Sequence, residues 1–575
     1  MPPRLRASGD GRARGHPLSA AAGAPKRNGT GRARPRGLDA RGRLRPPGGH
    51  SPRPASCPLS KRWHPSGSGA RLAALAGRWG APAGKGGQRV RPGLRLLDDS
   101  LIGRILDEAR EILAKLGMEI HNEGLLDRLA AHGAAVDRAT RRVRFPASVI
   151  DRGLQTAAPA FKLYDVLGEE ACDFAGDKVH FTPGSAAINV LDAHSGEMRP
   201  PTTVDYVDFV KLVSRLPHLA SQATAFIPAD VPEGVSDSYR LFLSLLYGEK
   251  PVVTGAFTIA SFALMRDLQL AVRGSAAALA AKPLTVFSVC PTAPLKWSDV
   301  TSQNLVDCAE LGVPVEYISM PLTGFMSPVT LVGALVQHTA ETLSGVVMTQ
   351  LVRPGAPALY GGSPAAFDLR YETTPMGAVE TQMIDCAYCE IGKYLGLPTQ
   401  AYIGLSDAKR LDAQAGAETA MGATLAALAG INNVSGPGML DFESCQSLEK
   451  LVLDNELCGL ALRLTRGIEP REDFPALPRF EELLAEGHLL ISTHTRRHLR
   501  AEHYFPGPVI DRANRSRWRE EGGLSLDARA RREVAAHLAA YAPSRLPQET
   551  KAELIRLMTA EAARFGLARL PERPA

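Results

Sequence analysis

Along this chain, short apolar runs that end in glycine and small polar residues alternate with longer stretches whose apolar positions recur every three or four residues. The first pattern is that of a buried parallel strand opening into a loop; the second is that of a helix with one packed face. The alternation predicts strands at Lys178–Thr182, Ala220–Ile227, Pro251–Phe257, Leu284–Cys290, Val313–Met320, Ala356–Gly361, Thr399–Gly404 and Ile431–Ser435. Predicted helices follow them at Val204–Leu216, Asp237–Tyr247, Ala260–Val272, Asp299–Leu311, Val329–Val352, Met376–Leu395, Gln414–Leu428 and Leu448–Arg466. Eight strand–helix units with little room for antiparallel excursions predict an α/β fold, an eight-stranded parallel (β/α)8 barrel of the TIM type. A doubly wound open sheet is the weaker reading, because no Gly-x-Gly-x-x-Gly opens a helix.

The flanks read differently. Asp99 and Ser100 predict the cap of a helix running to Leu116, with Leu101, Ile105, Ala109, Ile112 and Leu116 as its apolar stripe. A short helix at Glu123–Ala131 and edge strands at Arg142–Phe145 and Phe161–Tyr164 complete an N-terminal α+β lead-in over 91–177. The barrel is expected over 178–468. Helical patterns at Phe480–Gly487, Thr493–Tyr504 and Ser525–Tyr541 predict a C-terminal helical extension, 469–575, wrapping it.

Charge changes the picture at the start of the chain. Residues 1–90 hold 19 Lys and Arg against Asp10 and Asp39, about +17, while the remainder, 48 basic against 58 acidic, carries about −10. That basic segment is rich in Arg, Gly, Pro and Ser and too poor in bulky apolar residues to offset its ordering entropy, so a disordered tail without a folded role is expected. It also reads as a mis-assigned, over-extended start, with Val90 as the alternative first residue. Nucleic acid is not the expected partner. Leu72–Leu75 is too short for a targeting segment. No run of about 18 apolar residues predicts a membrane span.

The cysteines at 57, 172, 290, 308, 386, 389, 445 and 458 have no framework spacing, which points to a reducing, cytoplasmic location. Cys386 and Cys389 read as two thiols packed on one helix face. His494, His498 and His503, set among Arg496, Arg497 and Arg500, read as a solvated basic face, and no metal is expected.

In a barrel, chemistry belongs at the C-terminal ends of the strands. There the chain offers Thr182-Pro-Gly-Ser185, Cys290-Pro-Thr-Ala-Pro294, Ser319-Met-Pro-Leu-Thr-Gly324, Tyr360-Gly-Gly-Ser363, Gly404-Leu-Ser-Asp407 and Ser435-Gly-Pro-Gly438. Small residues dominate, which leaves room for something large to approach the backbone.

The motifs that carry a resemblance are Pro291-Thr-Ala-Pro294, Ser327-Pro328, His338-Thr-Ala-Glu-Thr-Leu-Ser-Gly345, Phe367-Asp368, Tyr394-Leu-Gly-Leu-Pro398, Ser406-Asp-Ala-Lys409, Gln414-Ala-Gly416, Gly438-Met-Leu440 and Glu449-Lys-Leu-Val-Leu-Asp454. In this order, from about Gly93 onward, the chain resembles the trimethylamine methyltransferase family. The resemblance implies an eight-stranded α/β barrel that moves a methyl group from a methylated amine to the cobalt of a separate corrinoid protein. Trimethylamine-specific members carry pyrrolysine directly before the Ser-Asp-Ala-Lys segment; here that position is Leu405. The non-pyrrolysine branch implies a quaternary amine, such as glycine betaine. No cofactor is expected to be tightly bound: cobalamin arrives on the partner protein, and the chain itself is expected to form a homo-oligomer. A Schiff-base lyase using Lys409 and a non-catalytic betaine-binding paralogue are the competing readings.

For that chemistry the expected catalytic groups are His338, Glu380 and Asp407, and the expected substrate-binding groups are Tyr317, Tyr360, Asp368, Tyr402, Leu405, Lys409 and Asp412. Aromatic faces and carboxylates suit a cation that has no N–H to donate. Several have plainer readings: His338 as a core histidine, Tyr317 as a packing residue, Glu380 on a wet helix face, Asp407 as a cap. Lys409 would pair with Asp412 or hold a substrate carboxylate.

Overall fold

A computed structural model describes residues 90–573. The tail read at 1–90 lies, apart from Val90, outside the described residues, as does Cys57.

The predicted strands form, each shorter than its apolar run: β1 (His180–Thr182), β2 (Gln222–Ala223), β3 (Val252–Thr254), β4 (Thr285–Val289), β5 (Val315–Tyr317), β6 (Ala358–Leu359), β7 (Gln400–Tyr402) and β8 (Asn433–Ser435). β2 to β6 make a five-stranded parallel sheet in chain order, and β7, β8 and β1 a three-stranded one. Single parallel bridges join the two, Phe181 with Leu219 and Tyr360 with Thr399. The alternating helices are α1 (Thr203–Arg215), α2 (Glu233–Tyr247), α3 (Ile259–Arg273), α4 (Asp299–Leu311), α5 (Leu331–Val352), α6 (Val379–Tyr394), α7 (Ala413–Ala429) and α8 (Leu448–Thr465). The result is a mixed α/β fold in which each crossover is a helix, as parallel pairing requires.

Strand parity decides what the sheets enclose. On β5, Val315 and Tyr317 face the helices, whereas Glu316 faces the interior, where it meets Asn433 of β8. Below this level an antiparallel hairpin, Lys162–Tyr164 with Glu170–Asp173, closes the N-terminal end of the strands. Its Leu163 and Cys172, with Phe174, pack on Val286 of β4 and Leu359 of β6. The interior is therefore apolar at the bottom and polar above.

The flanks depart from expectation at several points. The first helix runs Asp99–Lys115 and is capped by Asp98, whose carboxylate accepts from the Leu101 amide. Its buried row is Ile102, Ile105, Leu106, Ala109 and Leu113, because that row faces α5; Leu116 is exposed. Arg142–Arg144 is no edge strand, since Met118–Ile120 and Ala135–Asp137 flank it on both sides. A last helix, Gln548–Arg564, was not among the predicted elements; its Leu554, Met558 and Ala562 pack onto α2 and α3.

Candidate functional site

Above the apolar layer, polar groups converge from non-adjacent strands. Glu316 is fully buried; its carboxyl accepts from Ser288 Oγ at 2.7 Å and from Asn433 Nδ2 at 2.9 Å, and burial raises it to about 7. Toward the strand ends stands Tyr402, 5 % exposed, its hydroxyl 2.9 Å from Ser185 Oγ. Thr182 Oγ1 and Ser435 Oγ, on residues paired across β1 and β8, are buried without a hydrogen-bond partner among the described residues, and so are both amide atoms of Gln446. Buried polar atoms left this way are uncommon and call for an explanation.

The group that dominates this cluster is Glu443. It ends a run of three left-handed residues without glycine, Asp441 (φ 50°), Phe442 (φ 55°) and Glu443 (φ 70°). Each such residue costs roughly 1–2 kcal/mol relative to the right-handed form. Three in succession persist only because their surroundings hold them. Asp441 donates its amide to Ala408 O, and Lys409 secures the turn from outside, its Nζ 3.5 Å from Asp441 Oδ1 and 3.9 Å above the Phe442 ring. The outcome is a carboxyl turned inward. Glu443 keeps some accessible surface as a residue, but burial still lifts its carboxyl to about 8, and it has no hydrogen-bond or ion-pair partner among the described residues. Burial first, and then the charges of Glu443 and Glu316, push the Tyr402 phenol well above its ordinary value. Burial first, then Glu316 and Glu443, push the Cys290 thiol up to about 12. Burial first, with Glu443 adding to it, raises Asp385 on α6 as well. Tyr388, whose hydroxyl lies 2.9 Å from Gly362 O and 3.1 Å from Gln400 O, opposes that rise, but among the described residues neither Asp385 oxygen has a well-aligned hydrogen bond.

The chain therefore concentrates acidic groups at one end of its strands, with no cationic side chain among the described residues to balance Glu316, Asp385 and Glu443. Burying carboxylates unpaired is unfavourable, and such sites recur where a cation or a proton is handled. A cleft of about 640 Å³, bordered by Tyr247, Lys250 and Tyr541, lies elsewhere, against helices and the bottom hairpin. Chemistry, rather than volume, singles out the strand ends.

The residues expected from sequence separate into groups. Tyr402 joins the cluster. Leu405 is fully buried at the end of β7, where Gly436 at φ 130° lies so close that an added Cβ would meet Leu405 Cβ at 3.0 Å. His338 is fully buried beside the strand ends: its Nε2–H donates to Gly361 O at 3.0 Å, its ring stacks on Tyr388 at 4.1 Å, and burial holds it neutral, with a pKa near 3. Asp407 is a clamp, 6 % exposed, accepting from the Met376 and Gly377 amides at 2.9 Å each; burial raises it to about 6.

The others stand apart. Tyr317 and Tyr360 point outward into helix packing, donating to Thr349 Oγ1 at 2.7 Å and to Thr339 Oγ1 at 3.2 Å. An added Cβ on Gly345 of α5 would meet the Tyr317 ring at 2.6 Å, so the helix is shaped around it. Asp368 pairs with Arg370, whose hydrogen bonds hold its carboxyl at about 2. Glu380 is exposed in the first turn of α6. Asp412 caps α7, and Lys409 pairs with Asp441 rather than with Asp412. Of the groups missed, Glu316 had a visible signal, a lone charge inside an apolar run; Asp385 and Glu443 had none as clear.

Fold and site together define an α/β strand–helix protein with a cluster of buried carboxyls and one tyrosine ring at its strand ends. The chain belongs to the trimethylamine methyltransferase family, which it matches over residues 67–566. It is 27% identical to a trimethylamine methyltransferase of Desulfitobacterium hafniense, over 83% of this chain and 96% of the relative. With a glycine betaine methyltransferase from another strain of that species it shares 29% identity, over 81% and 97% respectively. With the trimethylamine methyltransferase of Methanosarcina thermophila it shares 30%, over 74% and 88%.

Proposed function

We propose that this chain transfers a methyl group from a quaternary amine of the glycine betaine type to the Co(I) of a corrinoid protein. The observation that carries the reading is Glu443, an inward carboxyl with no cationic partner among the described residues, grouped with Glu316 and the Tyr402 ring. A quaternary ammonium offers no hydrogen bond and a permanent charge, so what recognises it is an unpaired carboxylate and an aromatic face. That charge also makes a neutral tertiary amine the leaving group. The C–N bond breaks with its electron pair left on nitrogen, and the new C–Co bond takes both of its electrons from Co(I). Acid catalysis is not needed. The residues of the chain would neutralise the cation, exclude water and align one methyl.

The two sheets are read as closing into one (β/α)8 barrel, supported by the single bridges at Phe181–Leu219 and Tyr360–Thr399. The partner is read as docking over the strand ends. Support comes from large apolar side chains exposed on the loops that follow the strands, among them Phe257, Phe325, Val329, Leu369 and Tyr371. Exposed apolar surface in one region is a mark of an interface.

The test is incubation of the chain with a Co(I) corrinoid protein and a panel of betaines, following the cobalt spectrum. One betaine should yield methyl-Co(III). If a betaine binds by calorimetry but methylates no cobalt, the methyltransferase reading gives way to that of a binding protein.

A further inference from the structure

Far from the strand ends in sequence, a second set of side chains brings metal-ligating atoms together. His494 and His498 stand one turn apart on the helix Thr493–Glu502, their ring centroids 4.9 Å apart. Glu472 reaches them from the segment ahead of the helix Leu477–Glu486, its Oε2 3.5 Å from His498 Nε2. One ligand atom from each of the three lies within 4.8 Å of the others. His494 Nδ1 and His498 Nε2 are buried atoms without a hydrogen-bond partner among the described residues. Arg497 holds the other oxygen of Glu472, and that bond keeps the carboxylate ionised.

We propose that Glu472, His494 and His498 form a binding site for a zinc-class divalent cation, with water completing a four-coordinate shell. Ligands about 2.0–2.2 Å from a tetrahedral zinc lie roughly 3.3–3.5 Å apart, a separation the Glu472–His498 pair already shows. Turning the His494 ring, which is only half-buried, closes the remaining gap. Arg496, Arg497 and Arg500 weaken simple charge attraction. The site therefore suits a metal held by imidazole nitrogen rather than Mg²⁺ or Ca²⁺, which take oxygen ligands. The local structure gives such a metal a role: neither Leu477–Glu486 nor Thr493–Glu502 buries a residue, and Phe474, Leu484 and Ile491 are exposed. A segment without a core of its own gains from a cross-link between its two ends.

The test uses the full chain, stripped of metal by a chelator and titrated with Zn²⁺ alone by calorimetry, then with Co²⁺ followed by its visible spectrum. One equivalent should bind. His498→Ala and Glu472→Gln should each weaken it at least as much as the loss of a supporting partner does elsewhere, roughly tenfold to a hundredfold, with an unchanged circular dichroism spectrum. The Co²⁺ form should show tetrahedral bands without thiolate charge transfer. Absence of saturable binding, an unchanged affinity in either variant, or a thiolate band assigning the metal to cysteine would each overturn the proposal.

Discussion

Tyr402 on β7 and Ser185 in the loop after β1 share a hydrogen bond of 2.9 Å between their hydroxyls, spanning the strand β8 that separates them. The contact fixes the ring of Tyr402 through its hydroxyl alone. Tyr402→Phe keeps the ring face and loses only the bond, so betaine affinity should hold within about threefold while stability falls by about 1 kcal/mol. Tyr402→Ala removes the face; with cation–π contacts contributing about 1–2 kcal/mol, affinity should drop roughly 5- to 30-fold. Calorimetric titration of both variants checks this. Equal losses in the two would assign the effect to the hydroxyl instead.

Glu443 puts function and stability in opposition. Its left-handed backbone is strained and its carboxyl is desolvated, so neither contributes to folding. Glu443→Gly relieves both and loses some backbone entropy, for a net stabilisation of about 1 kcal/mol. The same change should abolish betaine binding. Thermal unfolding of the full chain should show a raised midpoint in the variant; a lowered midpoint would mean that the turn is favourable as it stands.

What was legible in the sequence follows from which forces act locally. Strands such as Val252–Thr254 and helices such as α4 announce themselves because burial is periodic along one element. The face of a strand that turns inward is another matter. In Val315-Glu316-Tyr317, only pairing with Asn433 across the interior decides that Glu316, not Tyr317, faces in. Glu443 was hidden for a different reason: Asp-Phe-Glu has no glycine to mark a left-handed turn, and the turn is held by Ala408 and Lys409, which are distant in sequence. The slow drift of the apolar row around the first helix likewise depended on where α5 lies against it.

Lys450 and Asp454, one turn apart on α8, form a fully buried pair. Lys450 also donates to Thr419 Oγ1 at 2.8 Å, and Asp454 accepts the Gly438 amide at 2.7 Å, which fixes the loop after β8. Asp454→Ala strands a buried ammonium and frees that loop, so it should cost about 3–5 kcal/mol. Replacing both partners, with Lys450→Met and Asp454→Leu, should recover much of this because no charge is left unpaired. Denaturant unfolding of the single and double variants separates the two cases. A double variant as unstable as the single one would show that the Gly438 bond, not the stranded charge, carries the cost.

The raised carboxyl of Glu443 sets a direction for pH dependence. Burial lifts it to about 8, so below that pH it is mostly protonated and neutral, and a cation must displace its proton to bind. Apparent affinity for a betaine should therefore fall as pH drops below about 8, by roughly tenfold per unit, and level off above it. Glu316, at about 7, steepens the loss at lower pH if the bound cation also ionises it. At pH 7 binding should release close to one proton, measurable by calorimetry in two buffers of different ionisation enthalpy. In Glu443→Gln the proton release and the slope above pH 7 should vanish together with most of the affinity. An affinity that stays flat from pH 6 to 9 in the unaltered chain would remove Glu443 from contact with the cation.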